Sequence, residues 1–395
     1  MKIVAVLETD CFAGGGFNQA LNAIVQMQRI CRDRFDFGVT TNLFKNVDYL
    51  AELGIKAELH KYGFLDRMLP VIRKTWVGSR LATRMRLVGT FERSMEQKGI
   101  DLVYFVMPSA TPGMLQHLNY MFTIWDLCHR DFPEFPEVRG NGVFQEREAM
   151  YRACLSPAFL VLTESRLGAE AAARRYGLDL DRTLAMPLSP ASSISLTRSA
   201  SLEEVMSANS LVPGYYFYPA QLWAHKNHVR VLDATAHLRN QGIVRQVVFA
   251  GGDKGLGEHL RKRVVALKLE NQVRLLGFVP SDHMRGLYDG CAAVVMPTYF
   301  GPTNIPPLEA WSIGRPLIYS SHLAEQVGDA ALLANPDDEI SLARAMMDVL
   351  DPSVARSLVE KGVLRLRQIE EQRHEAEQEL LVKLQTFEKR RQCWN

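Results

Sequence analysis

Residues 296–318 read MPTYFGPTNIPPLEAWSIGRPLI. Just before them, 293–296 is a short apolar run that predicts a buried strand ending at Pro297. A polar loop with Gly and Pro turns follows. Pro306 and Pro307 sit where the first turn of a helix tolerates missing amides, so a helix is expected over 306–313. Gly314 stops it, and 316–320 is the next apolar run. Strand, loop, helix and strand form a βαβ unit, which requires a parallel sheet.

The same alternation extends in both directions. Upstream, strands are expected at 215–218, 245–250 and 273–276, with helices at 227–240, 257–268 and 281–290, the last capped by Ser281. The first half repeats the pattern. A valine-rich run at 2–8 meets the glycine turn 11–16 and a helix over 17–30. Further strands are expected at 37–41, 57–60, 101–107, 121–125, 159–163 and 184–187, with a helix from Ser165 to Gly177. Between the halves, 190–212 is Ser-rich and poor in large apolar residues, which predicts a linker with a short helix. The tail 352–391 is helical and highly charged. The expectation is an α/β protein of two Rossmann-like domains, 1–195 and 213–375, joined by a linker at 196–212. A C-terminal helix and tail, 376–395, returns to the first domain.

Composition narrows the class. The 395 residues are 47% hydrophobic and 23% charged, an ordinary globular balance. With 46 basic and 44 acidic side chains, the net charge of +2 does not suit a dedicated nucleic-acid binder. Six cysteines show neither CxxC pairing nor zinc spacing and read as reduced thiols. The opening MKIVAVLETD predicts a strand rather than a secretion signal. No apolar run is long enough to cross a membrane, and a cytoplasmic setting is expected.

In open parallel sheets, ligands sit at the carboxyl ends of strands, so the loops after strands carry the candidate chemistry. Gly14, Gly15 and Gly16 follow the first strand and would let backbone amides approach an anion, or merely make a tight turn. His225 and Lys226 precede a helix start, where a cation beside free amides suits a phosphate. Gly251, Gly252 and Asp253 make another open turn. Glu309 is expected in the first helical turn, favoured there by the helix dipole and placed to accept sugar hydroxyls. Asp179-Leu180-Asp181 reads as a solvated turn rather than a metal motif.

Phe300-Gly301-Pro302-Thr303-Asn304-Ile305-Pro306-Pro307-Leu308-Glu309-Ala310, followed by Gly314-Arg315-Pro316, resembles the donor-binding signature of glycosyltransferases of family 4, a retaining family with the GT-B fold. Tyr218-Pro219-Ala220-Gln221 with His225-Lys226-Asn227 resembles its phosphate-binding segment. The stretch from Leu276 to Pro280, then Leu287-Tyr288, resembles its nucleobase region, and Trp125-Asp126-Leu127 with His129-Arg130 and Pro133 resembles the first-domain segment bordering the donor sugar. The resemblance implies two domains facing across a cleft that holds a nucleotide sugar, with no cofactor and no metal. It gives Lys226 the departing diphosphate, and the amides of Thr303, Asn304 and Ile305 the phosphate and sugar oxygens. Glu309 would bind the ribose, Val279 and Pro280 the base, and Asp126 and His129 the sugar or acceptor. Gly14, Gly15, Gly16, Gln221, His225 and Gly252 would complete the donor contacts. The sequence departs from the pattern in three places. Gly301 stands where the family has the first glutamate of Glu-x7-Glu, Gln221 where a basic residue is common, and Trp125 where a histidine is.

The implied reaction is transfer of a hexose, such as mannose, to a lipid-linked or polysaccharide acceptor of a bacterial surface glycan such as O-antigen. Two rivals share the phosphate site: a nucleotide-sugar epimerase, and a non-catalytic sugar-nucleotide-binding subunit. Residues 71–95 add a local feature. Trp76, Val77, Leu81, Met85, Val88 and Met95 recur at helical spacing beside Arg73, Lys74, Arg80, Arg84 and Arg86. Two readings stay open: an interfacial helix on the inner face of the cytoplasmic membrane, or a helix packed on the first sheet.

Overall fold

The computed structural model describes residues 1–12, 14–73, 76–85, 87–191 and 200–394. They form two compact units. The first comprises 1–131, 142–187 and 373–395, and the second 132–141 and 188–372.

In the first unit, seven strands lie in the order β3-β2-β1-β4-β5-β6-β7. They are β1 (Lys2–Leu7), β2 (Asp36–Thr41), β3 (Ala57–Leu59), β4 (Leu102–Phe105), β5 (Asn119–Ile124), β6 (Leu160–Thr163) and β7 (Thr183–Ala185). All pairs are parallel. The apolar runs β4 and β6 are buried along their whole length because helices cover both faces. Ser165 caps helix Arg166–Tyr176 as expected, its Oγ accepting from the Gly168 amide at 3.1 Å.

In the second unit, six parallel strands lie in the order β10-β9-β8-β11-β12-β13. They are β8 (Tyr215–Pro219), β9 (Val247–Ala250), β10 (Val273–Gly277), β11 (Cys291–Met296), β12 (Leu317–Ser320) and β13 (Leu332–Ala334). Counted in its own strands the second sheet runs 3-2-1-4-5-6, and the first runs the same order with a seventh strand added at the end, the doubly wound order whose direction reverses beside the first strand. That switch point places the loops after β8 and β11 side by side.

Several expectations need correcting. The short helix expected in the linker is Leu202–Asn209, but it packs as part of the second unit, burying Val205 and Met206 in its core. A capping box between Ser201 and Glu204 starts it. Positions 196–199 of the expected linker lie outside the described residues. Ser281 is the first helical residue rather than the cap, which is Pro280.

The stretch 71–95 is not one helix. It is divided among Phe64–Arg73, Trp76–Arg84 and Thr90–Gln97. The buried Asp66 carboxylate accepts from the Gly63 amide at 2.6 Å, from the Phe91 amide at 3.2 Å and from the Thr90 hydroxyl. It therefore satisfies the amino end of the third helix from outside. Gly89 lies so close to Asp66 that a Cβ there would fall 1.9 Å from Oδ1. Val88 and Met95 are buried, whereas Trp76, Val77, Leu81 and Met85 are exposed. Lys74 and Arg86 lie outside the described residues.

The tail forms one helix, Pro352–Arg391. Its last part belongs to the first unit, where Ala376, Leu380, Leu384 and Phe387 enter the core. Arg391 pairs with Asp101 at 2.6 Å.

Candidate functional site

In the second unit, three loops meet at the carboxyl end of the sheet. After β8 the chain turns through the short 3-10 helix Ala224–Lys226. Asn227 then takes a left-handed conformation, φ 57°, and helix His228–Asn240 begins. Asn227 Nδ2 fixes the turn by donating to the carbonyls of Pro336 at 2.8 Å and Pro297 at 3.2 Å. The Tyr218 hydroxyl donates to the Lys226 carbonyl at 2.7 Å.

The loop after β11 ends in Asn304, which flanks helix Ile305–Ile313. Lys226 Nζ donates to Asn304 Oδ1 at 3.2 Å. Asn304 Nδ2 donates to the Gly301 carbonyl at 3.0 Å and approaches the Tyr319 hydroxyl at 2.7 Å. Gln326 Nε2 donates to the Asn304 carbonyl at 2.6 Å. A compact polar network thus joins the ammonium to the start of a helix, where the dipole favours an anion.

The Asn304 amide was expected to hold a phosphate. It donates instead to Gln326 Oε1 at 2.8 Å, because the side chain from the later turn reaches it first. Thr303 and Ile305 flank it. Gly301 has φ 93°, and a Cβ there would lie 2.9 Å from the Asn304 side chain. The glycine therefore follows from the loop geometry, and no glutamate fits that backbone without strain.

After β9, Gly251 is the crowded glycine: a Cβ would fall 2.2 Å from the Ala220 carbonyl oxygen. Gly252, the expected donor contact, uses its carbonyl for the Leu222 amide at 3.0 Å. Gln221 Oε1 accepts from Trp223 Nε1 at 3.1 Å. Val279 is half-buried against the core, and Pro280 is exposed.

Glu309 is not in the first helical turn, which holds no acid. The helix starts at Ile305, so Glu309 falls in the second turn and the dipole acts on it less. It is buried, and its Oε2 accepts from the Tyr288 hydroxyl at 2.5 Å. Burial pushes its pKa from the ordinary 4.5 up to about 7, against the Tyr288 hydrogen bond.

The remaining predicted residues belong to the first unit. Gly14, φ 72°, precedes helix Gly15–Cys31, and a Cβ on Gly16 would touch the Trp125 indole at 3.2 Å. Gly15 has open space around it. Asp126 was expected to face sugar or acceptor. Its Oδ1 accepts from Arg147 Nη2 at 2.9 Å and from the Cys128 amide at 2.9 Å. Burial would raise its pKa, but Arg147 outweighs that and holds it below its ordinary value. His129, expected beside it, is fully buried, with Nε2 on Glu148 at 2.9 Å. Its packing against Phe144 and Tyr151 makes it a core histidine, which corrects the expectation of an open ring. Asp181 of the DLD turn is exposed.

Tyr288, from the stretch resembling a nucleobase region, bonds Glu309 instead, and three residues that sequence reasoning missed complete the second-unit site: Gln326, Tyr319 and Glu137. No motif marks them, since each reaches the site from a distant element. Glu137 lies 88 residues before its partner His225.

Comparison with known proteins bears on the family and the fold. Residues 214–352 match the family described as Glycosyl transferases group 1. The chain is 26% identical over 238 residues to O-antigen chain mannosyltransferase B of Escherichia coli, covering 59% of this chain and 62% of that one. It is 27% identical over 140 residues to O-antigen chain mannosyltransferase RfbU of Salmonella typhimurium, covering 34% and 38%. The match therefore spans less than two thirds of either relative. Among solved structures, Anabaena HepE in complex with UDP-glucose superposes with a TM-score of 0.71 at 16% identity, covering 96% of this chain and 99% of HepE. Residues 214–352 are thus a glycosyl transferases group 1 domain, and the chain carrying it has the GT-B fold.

Proposed function

We propose that the protein is a retaining, metal-independent glycosyltransferase. It moves a hexose, with mannose the first candidate, from a nucleotide sugar to a glycan or lipid-linked glycan acceptor in bacterial surface-polysaccharide synthesis. The observation that carries this reading is the Lys226–Asn304 contact at the start of helix Ile305–Ile313, at the switch point of the second sheet. The names of the two enterobacterial relatives support the sugar and the product, and the UDP-glucose complex of HepE supports the donor class.

In the reaction, the bond between the anomeric carbon and the diphosphate oxygen breaks, and negative charge develops on the diphosphate. Lys226 stabilises that charge as it grows. The acceptor hydroxyl attacks the oxocarbenium-like centre from the face the nucleotide leaves. Its proton passes to a phosphate oxygen. Glu309 binds the ribose, and Val279 and Pro280 border the base.

The protein acts on the inner face of the cytoplasmic membrane in this reading. Support comes from Trp76, Val77, Leu81 and Met85, exposed together on and just after helix Trp76–Arg84. Arg80 stacks over the Trp76 ring, 4.1 Å from its centroid. Among the described residues, no helix is long and apolar enough to cross a membrane.

Product analysis with a panel of labelled nucleotide sugars tests the assignment. A labelled glycoside on lipid-linked acceptor is expected. An isomerised nucleotide sugar would indicate the epimerase, and unchanged donor that nevertheless binds would indicate a non-catalytic subunit.

A further inference from the structure

Glu137 belongs to a short segment, 132–141, that joins the second unit although its chain neighbours belong to the first. The segment grips both loops of the candidate site. Phe135 packs edge-on to Phe300 with ring centroids 5.1 Å apart, and Phe132 stacks on Phe300 at 5.7 Å. Phe300 in turn stacks on the His225 imidazole, centroids 4.2 Å apart and planes only 8° from parallel. Glu137 Oε1 accepts from the His225 amide at 2.9 Å and also bonds the ring at Nδ1.

The chemistry of this pair is constrained. The Glu137 side chain is only 9% exposed, and its Oε2 has no hydrogen-bond partner among the described residues. Burial works to raise its pKa, yet the bonds from the His225 ring and amide outweigh burial and hold it below its ordinary value. An ionised carboxylate only accepts, so His225 Nδ1 carries the proton. A buried anion with one unpartnered oxygen is costly unless a positive charge lies against it. The flat face of Phe300 also favours a cationic ring.

We propose that Glu137 is a positioning residue that keeps His225 protonated, so that the diphosphate of a nucleotide meets two cations, His225 and Lys226. This rests on the nucleotide-sugar reading above. It also places a carboxylate from 132–141 beside the loop whose Gly301 position has none. Two nearby cations work against protonation. Lys226 is its chain neighbour, Lys254 lies 5.9 Å from the Trp223 ring centroid, and Trp223 stacks on His225. His228 is neutral, its pKa pushed by burial to about 3. Glu137 bonds the ring directly.

The test measures affinities of UDP, GDP, uridine and guanosine for the full chain from pH 5.5 to 8.5, in wild type and Glu137→Gln. Phosphate ionisation is common to both proteins, so their difference reports the histidine. The expected result is a several-fold loss of diphosphate affinity in Glu137→Gln near pH 7, with nucleoside affinity unchanged. The midpoint of the pH profile should fall by about one unit or more, the usual size of a close opposite-charge effect. Identical profiles would overturn the proposal, as would equal losses for nucleosides and diphosphates, which would mean general distortion. Wild type binding neither diphosphate would overturn the donor reading itself, and is distinguished because it needs no substitution. Should Glu137→Gln fail to fold, histidine NMR on wild type decides, with the His225 resonance assigned by its loss in His225→Gln. A midpoint above the ordinary value of about 6.5 is expected, and one below it would overturn the proposal.

Discussion

Glu309→Gln should stabilise the free protein at alkaline pH while weakening nucleotide binding. The Glu309 carboxyl is buried beneath the donor loop, and its pKa rises from 4.5 to about 7 on folding. A carboxyl raised by folding holds its proton more tightly in the native state between those values. Stability therefore falls as pH rises from about 4.5 through 7, and the deficit is complete above the folded pKa. At about 1.4 kcal/mol per unit, the difference corresponds to about 3 kcal/mol. Gln cannot ionise, and its side-chain oxygen can still accept from Tyr288. Urea unfolding of both proteins at pH 5 and pH 8.5 checks this. The variant should exceed wild type by under about 1 kcal/mol at pH 5 and by up to about 3 kcal/mol at pH 8.5. Nucleotide binding should move the other way. An ionised carboxylate oxygen has about two acceptor sites, so Tyr288 does not exhaust Glu309. Gln forms weaker, uncharged hydrogen bonds to the ribose hydroxyls, and affinity should drop on the order of tenfold. A 2′,3′-dideoxy nucleotide should bind both proteins equally. A variant that is destabilised equally at both pH values, or that loses the same affinity for the dideoxy nucleotide, would refute the reasoning.

Other substitutions address neighbouring parts of the site and the surface. Lys226→Ala should lower turnover on the order of 100-fold, and Lys226→Arg should recover only part of it, because a planar fork replaces a point charge; a normal rate in steady-state transfer assays would mean the phosphate site is misplaced. Gly301→Ala places a Cβ 2.9 Å from the Asn304 side chain at φ 93°, and should cost roughly 1–3 kcal/mol in denaturant unfolding. Gly301→Glu should not restore a family-like site, and a variant as stable and active as wild type would contradict the loop geometry. Replacing Arg80 and Arg84 with Gln should weaken sedimentation with anionic vesicles without changing the thermal midpoint, and wild-type binding should fall with added salt. Equal binding to neutral vesicles would remove the electrostatic part.

Much of the architecture was legible in the sequence because it is written in local patterns. Buried parallel strands must be apolar along their whole length, so VVFA at 247–250 and LVLT at 160–163 announce themselves. Pro306, Gly314 and Ser165 punctuate helices through backbone constraints that act within a few residues. The positions of Lys226 and Glu309 beside strand ends followed from the same punctuation. Short or half-exposed elements were harder to read, and the exposed strip at 76–85 shared its periodicity with a buried one. Periodicity reports spacing, whereas the start of helix Thr90–Gln97 is fixed by Asp66 reaching in from a different helix. The site shows the same division. The sequence placed a cation and a carboxylate near one sheet end, but long-range contacts fixed their states. Gln326 claims the Asn304 amide, Tyr288 and burial set the ionisation of Glu309, and Glu137 bonds His225 from 88 residues away. Hydrogen bonding and desolvation depend on distances between side chains, and no local pattern along the chain records those distances.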